Sequence, residues 1–450
     1  MDINDVARIV EEKGIDFFFG QFVNIYGVAN AKLVPATHLE DLVTNGACFT
    51  GFAAVGFGVG PDAPDLAAVP DLDTLTILPW KRNIARFACN VYVEDGTGAR
   101  RPSPFCSRSI LQRLVAKARE RGYIFKIGIE PEFFLVKRTA NGIEPADDLD
   151  TLVKPCYDLK GLTRPIEFLE TLIKAMQEMG WDVTATDHED ANSQFECNLQ
   201  YDDCVTMCDR YTFFRYMAAI LANQAGMIAT FMPKPFANRT GNSAHFHMSL
   251  WDVKTGENLF LNKDDPQGMG LSQLAYHFIG GLLKHARAYI ALSAPSVNSY
   301  KRLIAGGAMG GTTWAPVYIS YGGNNRTQML RIPGPGRVED RTVDSSCNPY
   351  LAAAAIIAAG LDGIENKLDP GRRNDTNMYE WTNKELKDAG IELLPTNLKE
   401  AMAELAKDNV IIEAIGREFC NYYIDFKMQE WRQYHNTVSQ WEIDRYLTFY

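Results

Sequence analysis

The octapeptide GIEPEFFL, residues 128–135, constrains this chain more than any other stretch, because it reads as a strand with two opposed faces. In an extended segment alternate side chains share a face, so Glu130 and Glu132 point one way while Pro131 and Phe133 point the other. Two adjacent carboxylates cannot both ionise cheaply; either a cation sits between them or one pKa rises. Alone, an E-x-E strand is most simply a solvent-washed face. Three further stretches repeat the pattern. SQFECNLQY sets Gln194, Glu196, Asn198 and Gln200 against Phe195, Cys197, Leu199 and Tyr201. AHFHMSLW sets His245, His247 and Ser249 against Phe246, Met248 and Leu250, and RVEDR aligns Arg337, Glu339 and Arg341. Histidines and arginines interleaved with single glutamates make a poor hydrated face, so these strands are expected to converge on one pocket. A carboxylate-rich pocket with one or two histidines suits hard divalent cations such as Mg²⁺ or Mn²⁺. Arginines beside such metals suit phosphate, since a guanidinium pairs two oxygens at once. Together the inventory is that of phosphoryl transfer. No G-x-x-x-x-G-K-[ST] stretch occurs, so a nucleotide would be held without a Walker-type loop.

Around these strands the periodicity predicts a mixed chain. An opening helix closes at Gly14, and strands at 16–25 and 31–34 flank the Tyr26-Gly27 turn. A helix over 38–44 precedes a glycine-rich loop, 46–60, and strands at 74–77 and 85–93 complete a small domain. The Asp95-Gly96 turn and the Pro-containing stretch to Cys106 mark a domain boundary, giving 1–106 and 107–450. Helices over 107–121, 166–179, 203–225 and 271–292 alternate with strands at 124–137 and 182–186. A second glycine-rich loop covers Ala305 to Gly311. The last third reads as helical, with 348–367, 398–407 and a single helix over 410–435.

Composition narrows the partners. A formal net charge of −11 without a basic tract argues against nucleic acid or an anionic membrane surface. Nine scattered cysteines with no C-x-x-C pair fit a reduced, cytoplasmic protein; Cys204 and Cys208 share a helix face but leave a metal site two ligands short. The acidic amphipathic start, MDINDVARIVEEKG, is not a signal peptide, and the longest apolar run, 351–360, is too short for a bilayer.

At several separated blocks the chain resembles the glutamine synthetase family over nearly its whole length. The blocks are GIEPEFF, MPKP at 232–235, the H-x-H-x-S strand, NSYKRL at 298–303, NNRTQMLRIP at 324–333, and RVEDR with the following NPYL. The C-terminal QEWRQYHNTVSQWEIDRY is similar to the family's terminal helix and tail. The resemblance implies an α+β fold: a small N-terminal β-grasp domain and a large catalytic domain with an antiparallel barrel-like sheet flanked by helices. It implies ATP and two or three Mg²⁺ or Mn²⁺ ions, with Glu132, Glu189 and Glu196 on one metal and Glu130, His245 and Glu339 on another. His247, Ser249, Arg326, Arg331 and Arg337 match nucleotide-contacting positions, and Gly241, Arg302 and Arg341 match those that hold glutamate. It further implies a homo-oligomer of two stacked hexameric rings, a dodecamer, with active sites between adjacent subunits. His188 is expected to be structural.

Departures from the family pattern cluster where the amine would bind. The aspartate of the first-domain loop is matched by Thr50 in CFTGFAAVGF. The glutamate of the flap is matched by Trp314 in TTWAP, preceded by extra residues, AGGAMGG. A pocket tyrosine is matched by Cys156 in VKPCYDL. Three such changes imply a less acidic, more apolar pocket. The flap resembles that of the γ-glutamylmethylamide synthetase branch, so the expected reaction joins the γ-carboxylate of L-glutamate to a small amine, methylamine, through γ-glutamyl phosphate. An alkylammonium has a pKa near that of lysine, about 10.4, and needs a base; Glu189 is the best remaining carboxylate, with Tyr157 and Asp158 as the other candidates. The alternatives are an ordinary glutamine synthetase using ammonia and an inactive structural oligomer of the same fold.

Overall fold

The computed structural model describes residues 1–94, 99–140, 142–304 and 314–450. The expected Asp95-Gly96 turn and the Ala305 to Gly311 loop lie outside the described residues. The chain forms an α+β fold with two sheets. The first, seven-stranded, draws on residues up to Pro102; its central strands Phe17–Val23 and Ile84–Glu94 run parallel, and its other pairs are antiparallel. The second is a ten-stranded, barrel-like sheet built around one long strand, Tyr123–Thr139.

Local sequence explains the element ends. The helix Ile3–Lys13 begins with an Asp2–Asp5 capping box and stops at Gly14, whose φ of 65° a left-handed cap requires. The expected helix over 410–435 is instead two, Asn409–Ile415 and Arg417–His435, because Gly416 adopts φ 118° between them. The expected glycine-rich loop, 46–60, contains a short strand, Ala47–Phe49, paired with an unforeseen strand, Leu66–Pro70. Leu66, Ala67 and Ala68 are buried, so packing rather than β-propensity sets that strand. The strand expected at 74–77 begins only at Thr76, since the Thr74 hydroxyl donates to the Asp71 carbonyl and ends a 3₁₀ turn there.

The long strand sorts its side chains as its alternation requires. Ile127, Ile129, Phe133 and Leu135 enter the hydrophobic core, Phe133 and Leu135 beneath the helices Ile166–Glu178 and Cys204–Gln224 with Phe195 and Cys197. The opposite face is left to Gly128, Glu130 and Glu132. The largest core cluster continues through the helices Gln273–Ser293 and Pro349–Glu365 and joins both sheets. Among the described residues no helix is long and apolar enough to cross a membrane.

Candidate active site

Strand register converts the four polar faces into one cluster. Glu132 lies directly opposite Glu196, and Glu196 opposite Asp187 in Val183–His188. On the other edge of the long strand, Glu130 faces His245 in Ala244–Asp252. His247 then faces Glu339 in Val338–Asp340, and Glu339 faces Arg331 in Leu330–Arg331. Directly opposed residues are within side-chain reach, so two rows of chemistry lie side by side across the sheet.

The rows are balanced differently. Around Glu339, which is fully buried, Arg331 Nη1 and Arg341 Nη1 each donate at 2.7 Å to separate carboxylate oxygens. His245 Nδ1 is 3.2 Å from Glu130 Oε2 and 3.6 Å from Glu339 Oε1. His247 Nε2 is 2.8 Å from Glu130 Oε1, at an angle poor for a hydrogen bond. Burial opposes ionisation of Glu130 and Glu339, but His245 and His247 outweigh it at Glu130, and Arg341 with the histidines outweighs it at Glu339. Both carboxyls are thereby held below the usual range, Glu339 at about 2. Burial, with Arg341, lowers His245 to about 4, so its ring is neutral near pH 7 and able to ligate a metal.

Glu132, Glu189 and Glu196 have no such balance. Glu132 accepts from the Ser243 amide at 2.8 Å, from the Ser243 hydroxyl, and from Gln194 Nε2 at 3.2 Å. Glu189 Oε2 accepts from the Asp190 amide at 2.7 Å. Burial raises all three carboxyls, and charge from neighbouring acids adds to it: Glu189 on Glu132, and Glu130 and Glu132 on Glu196. Asp187 is raised to about 6 by burial and then by Glu130. Among the described residues three groups place ligand atoms within 4.8 Å of one another: Glu132, Glu189 and Glu196; Glu130, Glu196 and His245; and Glu130, His247 and Glu339. Clustered acids that burial keeps from ionising together, beside neutral imidazole, fit a divalent cation as the missing charge. Glu130 and Glu339 group with His247 in that count, where the sequence resemblance joined them with His245.

The remaining expected residues lie at graded distances from this centre. Arg302 is buried and donates to the Thr342 and Arg341 carbonyls at 3.1 and 2.7 Å. Among the described residues Arg341 Nε is buried without a partner, a donor suited to an anion. Gly241 must be glycine, since a Cβ there would meet the Pro233 carbonyl oxygen at 2.3 Å and Arg302 Cγ at 3.1 Å. Beside the His247 row a cavity of about 500 Å³ is lined by Glu130, His247, Ser249, Tyr201, Trp251 and Arg337. Tyr201 and Trp251 stack at 6.0 Å within it, and Trp251 Nε1 donates to Ser249 Oγ at 2.9 Å. Arg326 is exposed, close enough for its charge to act on Tyr157 and Arg331.

At the Glu189 end, Cys156 is half-buried, and its thiol is pushed up to about 12 by burial and then by Glu189, Asp190 and Asp187. Trp314 donates its indole N–H to Asp190 Oδ2 at 3.2 Å. Thr50 stands apart: it is exposed, its hydroxyl pairs with Asp65 at 3.1 Å, and no hydrogen bond or ion pair joins it to the cluster among the described residues. His188 is fully buried, with Nε2 on Asp150 at 2.7 Å and Nδ1 on the Glu189 carbonyl at 2.8 Å, which fixes the turn carrying Glu189.

Sequence reasoning passed over Asp187, Asp190, Gln194 as a ligand of Glu132, Ser243, and the Tyr201–Trp251 pair. Asp187 shares the spacing of two with Glu189, a signal that was legible. Ser243 and Asp190 carry no periodic signal, because each acts from a loop.

Comparison with known proteins follows the same outline. Residues 104–446 match the family described as glutamine synthetase, catalytic domain. The glutamate–methylamine ligase of Methyloversatilis universalis is 47% identical over 451 residues, covering 100% of both chains. A glutamine synthetase of Rhizobium meliloti is 42% identical, covering 97% of this chain and 98% of the relative. The solved structure titled "GmaS/ADP complex-Conformation 1" superposes with a TM-score of 0.91 at 42% identity, covering 98% of this chain and 99% of that one.

Proposed function

Since the chain belongs to the glutamine synthetase family, we propose that it is an ATP-dependent ligase joining the γ-carboxylate of L-glutamate to methylamine through γ-glutamyl phosphate. The observation that carries this reading is the unbalanced trio Glu132, Glu189 and Glu196 beside the cation-balanced row of His245, His247, Glu339, Arg331 and Arg341. Divalent cations, when bound there, supply the charge that neutralises the transferred phosphoryl group and its neighbours.

The residues divide the work. Glu132, Glu189 and Glu196 would hold one metal, and Glu130, His245 and Glu339, with His247 adjacent, a second. The cavity lined by Ser249, Tyr201, Trp251 and Arg337 offers an aromatic slot and a cation to the nucleotide of ATP. Arg331, on Glu339, and Arg326, close enough for its charge to act on Arg331, suit the phosphates, since guanidinium pairs with phosphate oxygens in a fixed geometry. Gly241 lets the substrate glutamate approach the backbone, while Arg302 and Arg341 Nε, which has no partner among the described residues, suit its carboxylates. The γ-carboxylate attacks the terminal phosphorus of ATP and ADP leaves. The amine nitrogen then attacks the acyl carbon and phosphate leaves. The ammonium form must first lose a proton, and Glu189 is the base: its Oε2 is engaged by the Asp190 amide, and Oε1 carries no hydrogen bond among the described residues.

Methylamine is supported by the amine end of the site. Cys156 presents a neutral thiol there and Trp314 an indole, and Thr50, uncharged, would join them from an adjacent subunit; the relative named glutamate–methylamine ligase is 47% identical. Ammonia is the competing substrate, favoured by the relatives named glutamine synthetase at 42% identity. Assembly into two stacked hexameric rings is part of the proposal. Support comes from Thr50, which has no hydrogen bond or ion pair to the carboxylates among the described residues, and from the exposed Trp441, Leu447, Phe449 and Tyr450 of the C-terminal tail. Release of ADP with glutamate and hydroxylamine tests the ligase, and its absence overturns the reading. The ratio of kcat/KM for methylamine to that for ammonium tests the amine; a tenfold preference for ammonium rejects methylamine.

A further inference from the structure

Asp190 follows the proposed metal ligand Glu189 in sequence, and its side chain is engaged by hydrogen bonds outside the three ligand groups. One oxygen, Oδ2, accepts from two segments distant in the chain: Trp314 Nε1 at 3.2 Å and Thr240 Oγ1 at 2.5 Å. Thr240 immediately precedes Gly241. The same carboxylate therefore joins the turn bearing Glu189, the loop bearing the glycine at the glutamate site, and the residue opening the described segment after 313. It also lies close enough to Cys156 for its charge to act on that thiol.

Trp314 requires such an anchor. Its φ is 50°, in the left-handed region that bulky side chains rarely adopt, and 38% of its surface is exposed, so neither backbone preference nor core packing holds the indole. The N–H to Asp190 is the polar contact that fixes its direction. Pinned at its nitrogen to the residue after Glu189, the indole offers a rigid apolar wall on the Glu189 side of the site, where the proposed reaction brings the amine nitrogen. A methyl group on that nitrogen gains from such a wall; ammonium gains nothing.

We infer that Asp190 is a positioning residue for amine selection: by holding Trp314 through its indole N–H, with Thr240 as the second tie, it sets the wall that receives the alkyl group of the acceptor amine. This rests on the methylamine reading of the same site.

The test measures kcat/KM for methylamine and for ammonium with the full-length enzyme and its Asp190→Ala, Asp190→Asn, Trp314→Phe and Asp190→Ala/Trp314→Phe variants. Asp190→Ala and Trp314→Phe should each lower the methylamine-to-ammonium ratio at least about threefold, chiefly through a higher KM for methylamine. Asp190→Asn, whose Oδ1 still accepts from the indole, should keep the ratio. The double variant should lose no more than either single change, because both remove one contact. A parent enzyme that prefers methylamine and an Asp190→Ala variant that keeps the preference overturn the inference alone. Additive losses in the double variant overturn it as well. A parent with no preference for methylamine overturns the amine reading and this inference with it. Should Asp190→Ala fail to fold, Trp314→Phe and Asp190→Asn decide the matter, since equal ratios in these two and the parent contradict the role of the N–H contact.

Discussion

The two carboxylate groups meet across one strand, yet the chain treats them in opposite ways. Glu339 is fully buried and has an arginine on each oxygen, with His245 close by. Glu132 and Glu196 are almost as buried and feel like charges, Glu132 with hydrogen bonds besides, but neither has a cation at contact distance among the described residues. A buried acid whose charge is balanced by built-in arginines stays ionised before any cation arrives. One left without them is stable only when protonated or when a cation arrives. The difference locates the place where this protein depends on something other than itself.

That contrast can be broken by the same isosteric change made on each side. Glu339→Gln strands Arg331 and Arg341 in the interior and should cost about 3–5 kcal/mol of stability, read as a loss in denaturant midpoint. Glu196→Gln removes an acid that has no hydrogen-bond or ion-pair partner among the described residues, so metal-free protein should become more stable by about 1 kcal/mol while ADP release falls about a hundredfold or more. Equal destabilisation by both changes would erase the distinction.

A pH titration of stability sharpens it. The folded-state pKa values of Glu132, Glu189 and Glu196 are raised by burial. The native protein therefore holds protons that the unfolded chain has released. Their contribution to stability is complete below the ordinary carboxylate range, near pH 4, and is lost as pH rises through the raised folded values. Metal-free protein should thus weaken from about pH 5 to pH 8, whereas saturating Mg²⁺ or Mn²⁺ should flatten or reverse the slope. Thermal melting across that range, with and without a chelator, reads the effect.

The smallest expected change concerns Ser243, whose amide and hydroxyl both donate to Glu132. Ser243→Ala removes the hydroxyl bond to the ionised form, worth about 1 kcal/mol, and should move the pH midpoint of Mn²⁺ binding upward by roughly one unit or less. An unchanged midpoint would remove Glu132 from the ligand set.

The candidate site was largely legible because its residues sit on strands with a period of two. Glu130, Glu132, Glu196, His245, His247 and Glu339 all lay on the polar faces that alternation assigned to them. Register was not legible, and register decides that His247 rather than His245 stands opposite Glu339. Loop contributions also escaped, since Asp190 and Ser243 act through contacts fixed only by tertiary placement. Arg331 was found by resemblance alone; nothing in its own spacing shows that it pairs with Glu339. In the fold, long apolar helices announced themselves, while Leu66–Pro70 did not, its burial coming from neighbours rather than from strand-forming residues. The break at Gly416 was overlooked because the apolar pattern continues through it.

The most direct measurement is Mn²⁺ titration calorimetry near pH 7, repeated in buffers of different ionisation heat. Protonated, unbalanced carboxylates must give up protons when a cation binds, so saturable binding with net proton release is expected in the parent and a smaller release in Glu196→Gln. Absence of Mn²⁺ binding, or binding with no proton release in either protein, would contradict a cation site at Glu132, Glu189 and Glu196.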